Sequence, residues 1–203
     1  MRIGILADIH ARADRLRLAL QTLRQVGVDQ TLVLGDVVYS GGQIEETVAL
    51  LREAGIGGVC GNHDLGLAVD PDDWARQHYS RRVLDYMTTL RPRLELAGCL
   101  FSHGLPHWEP TDPEVFYLGG EPDVPEDLVR CFDAFQHRVM FLGHFHRWQI
   151  ATRAGPIAWD GRQPIVLRSD ERYLVVVAAV MNGSCASFDA TSGELVPYEL
   201  EPP

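Results

Sequence analysis

Residues 2–10 read Arg-Ile-Gly-Ile-Leu-Ala-Asp-Ile-His, an apolar run of strand length that stops abruptly in a carboxylate and an imidazole. The arrangement recurs. Val33-Leu34-Gly35 runs into Asp36, and Val59-Cys60-Gly61 into Asn62-His63-Asp64. Leu100-Phe101-Ser102 runs into His103, and Phe141-Leu142-Gly143 into His144-Phe145-His146. Between the first of these runs lie amphipathic segments. Residues 13–26 put Leu16, Ala19, Leu20 and Leu23 on one helical stripe that Gly27 ends, and residues 43–54 form a second helix closed by Gly55. Strands at 2–7, 31–34 and 56–60 separated by these helices make a βαβαβ unit. Its strands are therefore expected to be parallel, with helices covering the sheet. In such a sheet the carboxyl ends of the strands form the rim where ligands bind, so polar residues distant in sequence converge there.

Farther along, residues 71–90 read as one helix with Asp70 or Asp72 as its cap, followed by a strand over 94–102. Residues 104–124, rich in Pro and Gly, read as a long lid or substrate loop whose Trp108, Phe116 and Tyr117 either pin it to the core or stack on a nucleobase. A helix over 125–135 with Pro at its start and a strand over 138–142 come next. From Trp148 onward the pattern changes to strands at 149–153, 164–168, 173–180, 186–189 and 195–200. The turn signals Ala154-Gly155-Pro156, Asp160-Gly161 and Ser192-Gly193 separate them, which predicts antiparallel hairpins.

Composition narrows the chemistry. All eighteen basic residues are Arg, which removes Schiff-base lysines, the P-loop lysine and the kinase ion-pair lysine. Any phosphate must be handled by Arg, backbone amides or metal ions. The 203 residues are of a length for one domain, and 46% hydrophobic content supports a packed core. A net charge of −10 argues against extended nucleic acid or anionic membrane as a partner. The apolar run 173–181 is well short of the ~18 residues that a membrane span requires. With no export signal legible at the N-terminus and four scattered cysteines, a reduced cytoplasmic protein is expected, and self-association is left open.

The residues beyond the strands form a coherent donor set. Carboxylates mixed with imidazoles suit Mn, Fe or Zn better than Mg or Ca. Asp8, His10, Asp36, Asn62, His103, His144 and His146 are too many donors for one ion, but with one bridging carboxylate they supply four contacts to each of two ions. Two such ions polarise a phosphoryl oxygen and activate water, which replaces the missing lysine.

Read together, D-x-H, G-D, G-N-H-D, H and G-H-x-H resemble the pattern of the calcineurin-like metallophosphoesterase superfamily, most closely its small single-domain bacterial and archaeal phosphodiesterases. The resemblance implies one domain over residues 1–203, a two-sheet β-sandwich flanked by helices in α-β-β-α layers. It implies mixed sheets with antiparallel hairpins toward the C-terminus. It places Asp8, His10, Asp36 and His146 on one metal and Asp36, Asn62, His103 and His144 on the other, with two divalent ions per chain: Mn first, with Fe, Zn or Ni as alternatives. It also implies a metal-bridging hydroxide as nucleophile, His63 as general acid facing the leaving group, Asp64 orienting or tuning it, and Asn62 with His63 contacting phosphate. Arg12 and Arg147, beside these residues, are further candidates for phosphate contact. His78 and His137 fall outside the pattern, and His107 is open.

The implied activity is hydrolysis of a small or nucleotide-like phosphodiester. A phosphomonoesterase or nucleoside polyphosphate hydrolase on the same site is the alternative, because the motifs set the phosphorus chemistry but not the number of ester arms. Gly35-Asp36-Val37-Val38-Tyr39-Ser40-Gly41 lacks the Asp-Arg pair of the protein Ser/Thr phosphatases, which weighs against that activity. A relative in the retromer coat uses the fold as a protein-interaction module with an impaired metal site. Here every ligand position carries a competent donor, so the scaffold reading ranks last.

Overall fold

The computed structural model describes residues 1–39 and 42–200. The N-terminal unit comprises β1 (Arg2–Leu6), α1 (Ala13–Val26), β2 (Gln30–Leu34), α2 (Ile44–Glu53) and β3 (Gly57–Val59). Three short helices follow: α3 (Leu65–Ala68), α4 (Asp73–His78) and α5 (Arg81–Met87). The hairpin β4 (Arg93–Leu96) and β5 (Cys99–Ser102) leads through α6 (Val115–Leu118) and α7 (Pro125–Ala134) to β6 (Val139–Leu142). The last strands are β7 (Gln149–Thr152), β8 (Gly155–Pro156), β9 (Ile165–Val166), β10 (Tyr173–Val176), β11 (Ser184–Asp189) and β12 (Glu194–Glu199).

These strands make two six-stranded sheets, ordered β3-β2-β1-β11-β12-β9 and β4-β5-β6-β10-β7-β8. Both are mixed. β1 runs parallel to β2 and antiparallel to β11, while β6 runs parallel to both β5 and β10. The period-2 alternation of a strand explains the layering. Ile3 and Ile5 of β1 face the second sheet, joining Phe101, Phe141, Val175 and Phe188 in the core between sheets. Leu6 faces the other way, into a cluster with Leu16 and Leu23 of α1, Val48 and Leu51 of α2 and Val83 of α5. A third cluster fills the outer face of the second sheet, where Leu128 and Phe132 of α7 meet Met140, Leu142 and Leu174. Helices therefore cover both outer faces, and the strands are apolar on both sides because both sides are buried. Gly4 gives this packing room: a Cβ there would lie 2.9 Å from Leu23 Cδ1 and 2.8 Å from Thr31 Oγ1, so those side chains would have to shift.

Several elements differ from the sequence expectation, among them α6 within the segment 104–124 expected as a loop and β8 at the expected turn 154–156. The helix expected over 71–90 is broken into α4 and α5, because Ser80 adopts an extended backbone and its hydroxyl accepts from Val83 N–H (3.3 Å) as an N-cap. The strand expected over 94–102 is a hairpin turning at Ala97 and Gly98, both with positive φ (49° and 76°), as a primed turn requires. The strand expected over 173–180 stops at Val176. The chain then leaves the second sheet for the first, and Val180 and Met181 N–H donate to the carbonyls of Ala7 (2.8 Å) and Asp8 (3.2 Å). No described helix is long and apolar enough to cross a membrane. The four cysteines are buried and unpaired.

Phe141 lies at the centre of the inter-sheet core, its ring 5.3 Å from Phe101 and 5.1 Å from Phe188. Phe141→Ala should lower the stability by about 3–5 kcal/mol in chemical denaturation. Val166→Ala, at a side chain 61% exposed, should change it by less than about 0.5 kcal/mol.

Candidate metal centre

The five polar segments flagged in the sequence meet at one rim of the sandwich. Parallel pairing sends the carboxyl ends of β1, β2 and β3 in one direction, and those of β5 and β6 do the same in the facing sheet. Hydrogen bonding continues beyond the strand ends: Asp8 N–H donates to Gly35 O (3.1 Å), His10 N–H to Asp36 O (2.9 Å) and Gly143 N–H to His103 O (3.0 Å). The candidate ligands therefore sit on braced backbone. Asp8, His10, Asp36, His144 and His146 all have φ between 48° and 67°, the left-handed region that side chains other than glycine seldom occupy. Such strain is tolerated where the surrounding structure enforces it, and it clusters at functional sites.

The glycine before Asn62 has a steric reason. A Cβ on Gly61 would stand 2.2 Å from Asp36 Oδ1 and 2.5 Å from Asp36 N. Only glycine lets the β2 and β3 ends approach closely enough to share the site.

The donor atoms form two groups that meet at Asp36. On one side, ligand atoms of Asp8, His10, Asp36 and His146 all lie within 4.8 Å of one another. Within that group His146 Nε2 is 3.3 Å from Asp8 Oδ1 and 3.2 Å from His10 Nε2. On the other side, Asn62 Oδ1 lies 3.0 Å from His103 Nε2 and 3.2 Å from His144 Nδ1. Asp36 Oδ2 sits between, 3.6 Å from His10 Nε2 and 3.4 Å from His103 Nε2. Backbone carbonyls orient two of the rings. His103 Nδ1 donates to Leu34 O (2.6 Å) and His144 Nε2 to Phe116 O (3.2 Å), which directs the opposite nitrogen of each ring at the cluster. His10 Nδ1 is buried with no hydrogen-bond partner among the described residues.

Oxygens and imidazole nitrogens converging in this way repel one another unless protons or cations lie among them. The local field shows that demand. Burial opposes the charge on His103, but the adjacent Asp36 carboxylate outweighs it and holds the imidazole up to about 9. Burial also opposes ionisation of Asp36, yet the charge and hydrogen bond of His103 and the N–H of His63 (3.0 Å) keep it well below the usual carboxylate range. Burial and then the positive His103 push His144 down to about 4. His10 is lowered by burial, and His146 is raised by its hydrogen bond to Asp8. The pocket therefore favours added positive charge, which divalent cations held by its carboxylates and imidazoles would supply.

Around this cluster the other sequence candidates take different positions. His63 is exposed, its ring 5.1 Å from that of His10 and 5.4 Å from that of Tyr39. Together with Arg12, Met181 and His146 these residues border a cavity of 590 Å³. Asp64 was expected to orient or tune His63, but its carboxylate faces elsewhere. Oδ1 accepts from the N–H groups of Val37 (3.0 Å) and Val38 (3.1 Å), and Oδ2 from Gly61 N–H (2.9 Å). It thus clasps the segments after β2 and β3, and burial with the nearby Asp36 charge pushes it up to about 7. Arg12 lines the cavity, but its guanidinium is engaged bidentately by Asp14 (2.9 and 2.8 Å). Arg147 is held by Glu121 (2.9 Å) and Gln149 (3.0 Å). Both candidates for phosphate contact thus already have partners.

The segment 104–124 is anchored rather than detached. Trp108 and Phe116 are buried in the third core cluster, and only Tyr117 of the three aromatics is exposed. Its contribution to the site, the Phe116 carbonyl, is a backbone group and so left no trace in the residue types. His107 lies 3.3 Å from Cys131 Sγ and 3.8 Å from Asp127. This arrangement imitates a nucleophilic triad, but the thiol is buried and burial pushes it up to about 12, so it stays protonated. His78 stacks on Trp74 and His137 lies 3.4 Å from Glu95, both away from the cluster.

Comparison with known proteins agrees with this fold. The chain is 27% identical to an uncharacterized protein of Methanocaldococcus jannaschii over 191 residues, covering 85% of this chain and 73% of that protein. Among solved structures, a metallophosphoesterase from Sphaerobacter thermophilus superposes with a TM-score of 0.77 at 24% identity, covering 99% of this chain and 88% of that one. An archaeal phosphodiesterase superposes with a TM-score of 0.56 at 13% identity, covering 98% of this chain and all of that one (100%). At these identities the structural likenesses are of fold alone. The profile of the calcineurin-like phosphoesterase superfamily domain matches residues 1–167, spanning all the segments that build the rim, and the chain belongs to that superfamily.

Proposed function

We propose that this protein hydrolyses compact phosphodiesters with two divalent cations, both of which Asp36 would help to hold. The observation that carries the reading is the place of Asp36 Oδ2, between His10 Nε2 on one side and His103 Nε2 on the other. Asp8, His10 and His146 would complete one set of ligands, and Asn62, His103 and His144 the other. When bound, the cations supply Lewis acidity toward the phosphoryl oxygens and lower the pKa of water, which is the nucleophile. Carboxylates with imidazoles favour Mn, with Fe, Zn or Ni accepted by the same donors.

The chain's own residues provide the rest. Asn62 turns its carbonyl oxygen toward His103 and His144, which leaves its amide N–H groups to donate to a phosphate oxygen. His63 borders the cavity beside His10, where its exposed ring delivers a proton to the departing ester oxygen. Asp64 acts through the backbone, holding the segments that carry Asp36 and Asn62 in register. A cavity of 590 Å³ suits a small molecule, and the net charge of −10 disfavours long polyanions. Buried unpaired thiols suit a reducing compartment such as the cytoplasm.

Loss of a proton donor matters most for poor leaving groups. His63→Ala should slow hydrolysis of an alkyl phosphodiester about 10²–10⁴-fold in kcat/KM. It should slow bis-p-nitrophenyl phosphate less than about tenfold. Equal slowing of both esters would remove His63 from the acid role.

The raised His103 predicts how metal affinity varies with pH. Below about 9 its imidazole carries a proton that a cation must displace. Apparent affinity for Mn should therefore rise about tenfold per pH unit between pH 6 and pH 8, with proton release. Calorimetric titration in buffers of different ionisation enthalpy measures both quantities.

A further inference from the structure

Next to the metal-side cavity lies a second one of 370 Å³, bordered by Tyr39, His63, Asp72, Trp74 and Tyr79. The two cavities share Tyr39 and His63, so they adjoin at the expected proton donor. Two large aromatic side chains on this wall stay in water: Trp74 is 58% exposed and Tyr39 51% exposed. A lone exposed aromatic is unremarkable, but two lining one groove beside a reactive centre form an apolar patch with no partner of its own.

The groove is organised rather than loose. The His78 ring lies against the Trp74 indole at 4.2 Å and 18°, and Tyr79 meets that indole edge-on at 5.9 Å. His78 Nδ1 is fixed by the Trp74 carbonyl (2.8 Å). Asp72 lines the groove, and its Oδ1 caps α4 through Ala75 N–H (2.7 Å). Oδ2 has no hydrogen bond among the described residues, which leaves an acceptor free on a residue that lines the groove.

We infer that this groove binds a nucleobase. The observations call for a group that is flat, apolar on its faces and a hydrogen-bond donor at one edge. A base meets all three conditions by stacking on Trp74 and Tyr39 and donating an exocyclic amine to Asp72. Aromatic platforms bind bases in this way without exclusive sequence readout. The preferred substrates are then nucleoside phosphoesters, with the ribose spanning His63 between phosphate and base. Alkyl or sugar phosphates would leave the groove unfilled. The platform lies on α4 and the segment after β2, whereas Trp108 and Phe116 of the 104–124 segment serve packing.

The inference deepens the phosphodiesterase reading and rests on it, so its test reads binding rather than turnover. Isothermal titration calorimetry of the Mn-supplemented protein compares two probes that mimic a phosphodiester: the methylphosphinate carried on a methylene at the 5′ carbon of adenosine and the matching ribose phosphinate, in which carbon replaces both ester oxygens. The base should strengthen binding at least about tenfold. Trp74→Ala should reduce that advantage to less than about twofold, and Trp74→Phe, which keeps a ring, should retain most of it. Equal binding of the two probes by the unaltered protein overturns the inference, as does an advantage that survives both Trp74→Ala and Tyr39→Ala. If neither probe binds with metal present, the phosphoesterase reading fails with it. If both bind equally, only the groove is refuted.

Discussion

The rim of this sandwich is organised by one carboxylate. Asp36 Oδ1 takes the N–H of His63, Oδ2 lies between the imidazoles of His10 and His103, and its backbone carbonyl takes the N–H of His10. Three separate strand ends are thereby tied to one side chain, which is 2% exposed. Burying an ionised group is costly unless charge and hydrogen bonds compensate. His103 supplies the charge, and the polypeptide supplies the hydrogen bonds. Around it, Gly61 leaves room for the carboxylate and Asp64 clasps the two segments that carry Asp36 and Asn62.

This order has a conformational cost. Left-handed backbone at Asp8, His10, Asp36, His144 and His146 costs about 1–3 kcal/mol per residue. It persists because the inter-strand hydrogen bonding runs through the loops and the cores beneath leave no alternative path. The donors are consequently in place before any ligand arrives, and little reorganisation is required of them when one does. The net negative charge of the chain becomes secondary at such a site, because cations held among Asp8, Asp36 and the imidazoles would make the local field positive in a cleft where screening is weaker.

The strands were legible because burial on both faces writes nearly continuous apolar runs, and the site because a change of residue type follows each run at the same place. What escaped was local or relational. Ser80 divides a helix through a single cap, and Ala97-Gly98 folds a strand back through two positive φ values, signals easily overridden by the longer apolar pattern around them. The family resemblance assigned Asp64 to orienting or tuning His63, yet its carboxylate serves the backbone of Val37, Val38 and Gly61, contacts that the residue types alone do not reveal. Arg12 and Arg147 stood next to ligands but have carboxylate partners two and twenty-six residues away. The Phe116 carbonyl that orients His144 had no residue-type signal.

The account stands on Asp36 serving two cations at once. Anomalous diffraction from crystals grown with Mn tests this most directly. Two peaks about 3.5–4 Å apart on either side of the Asp36 carboxylate are expected, one near Asp8, His10 and His146 and the other near Asn62, His103 and His144. A single peak, or peaks that do not contact Asp36, would contradict it.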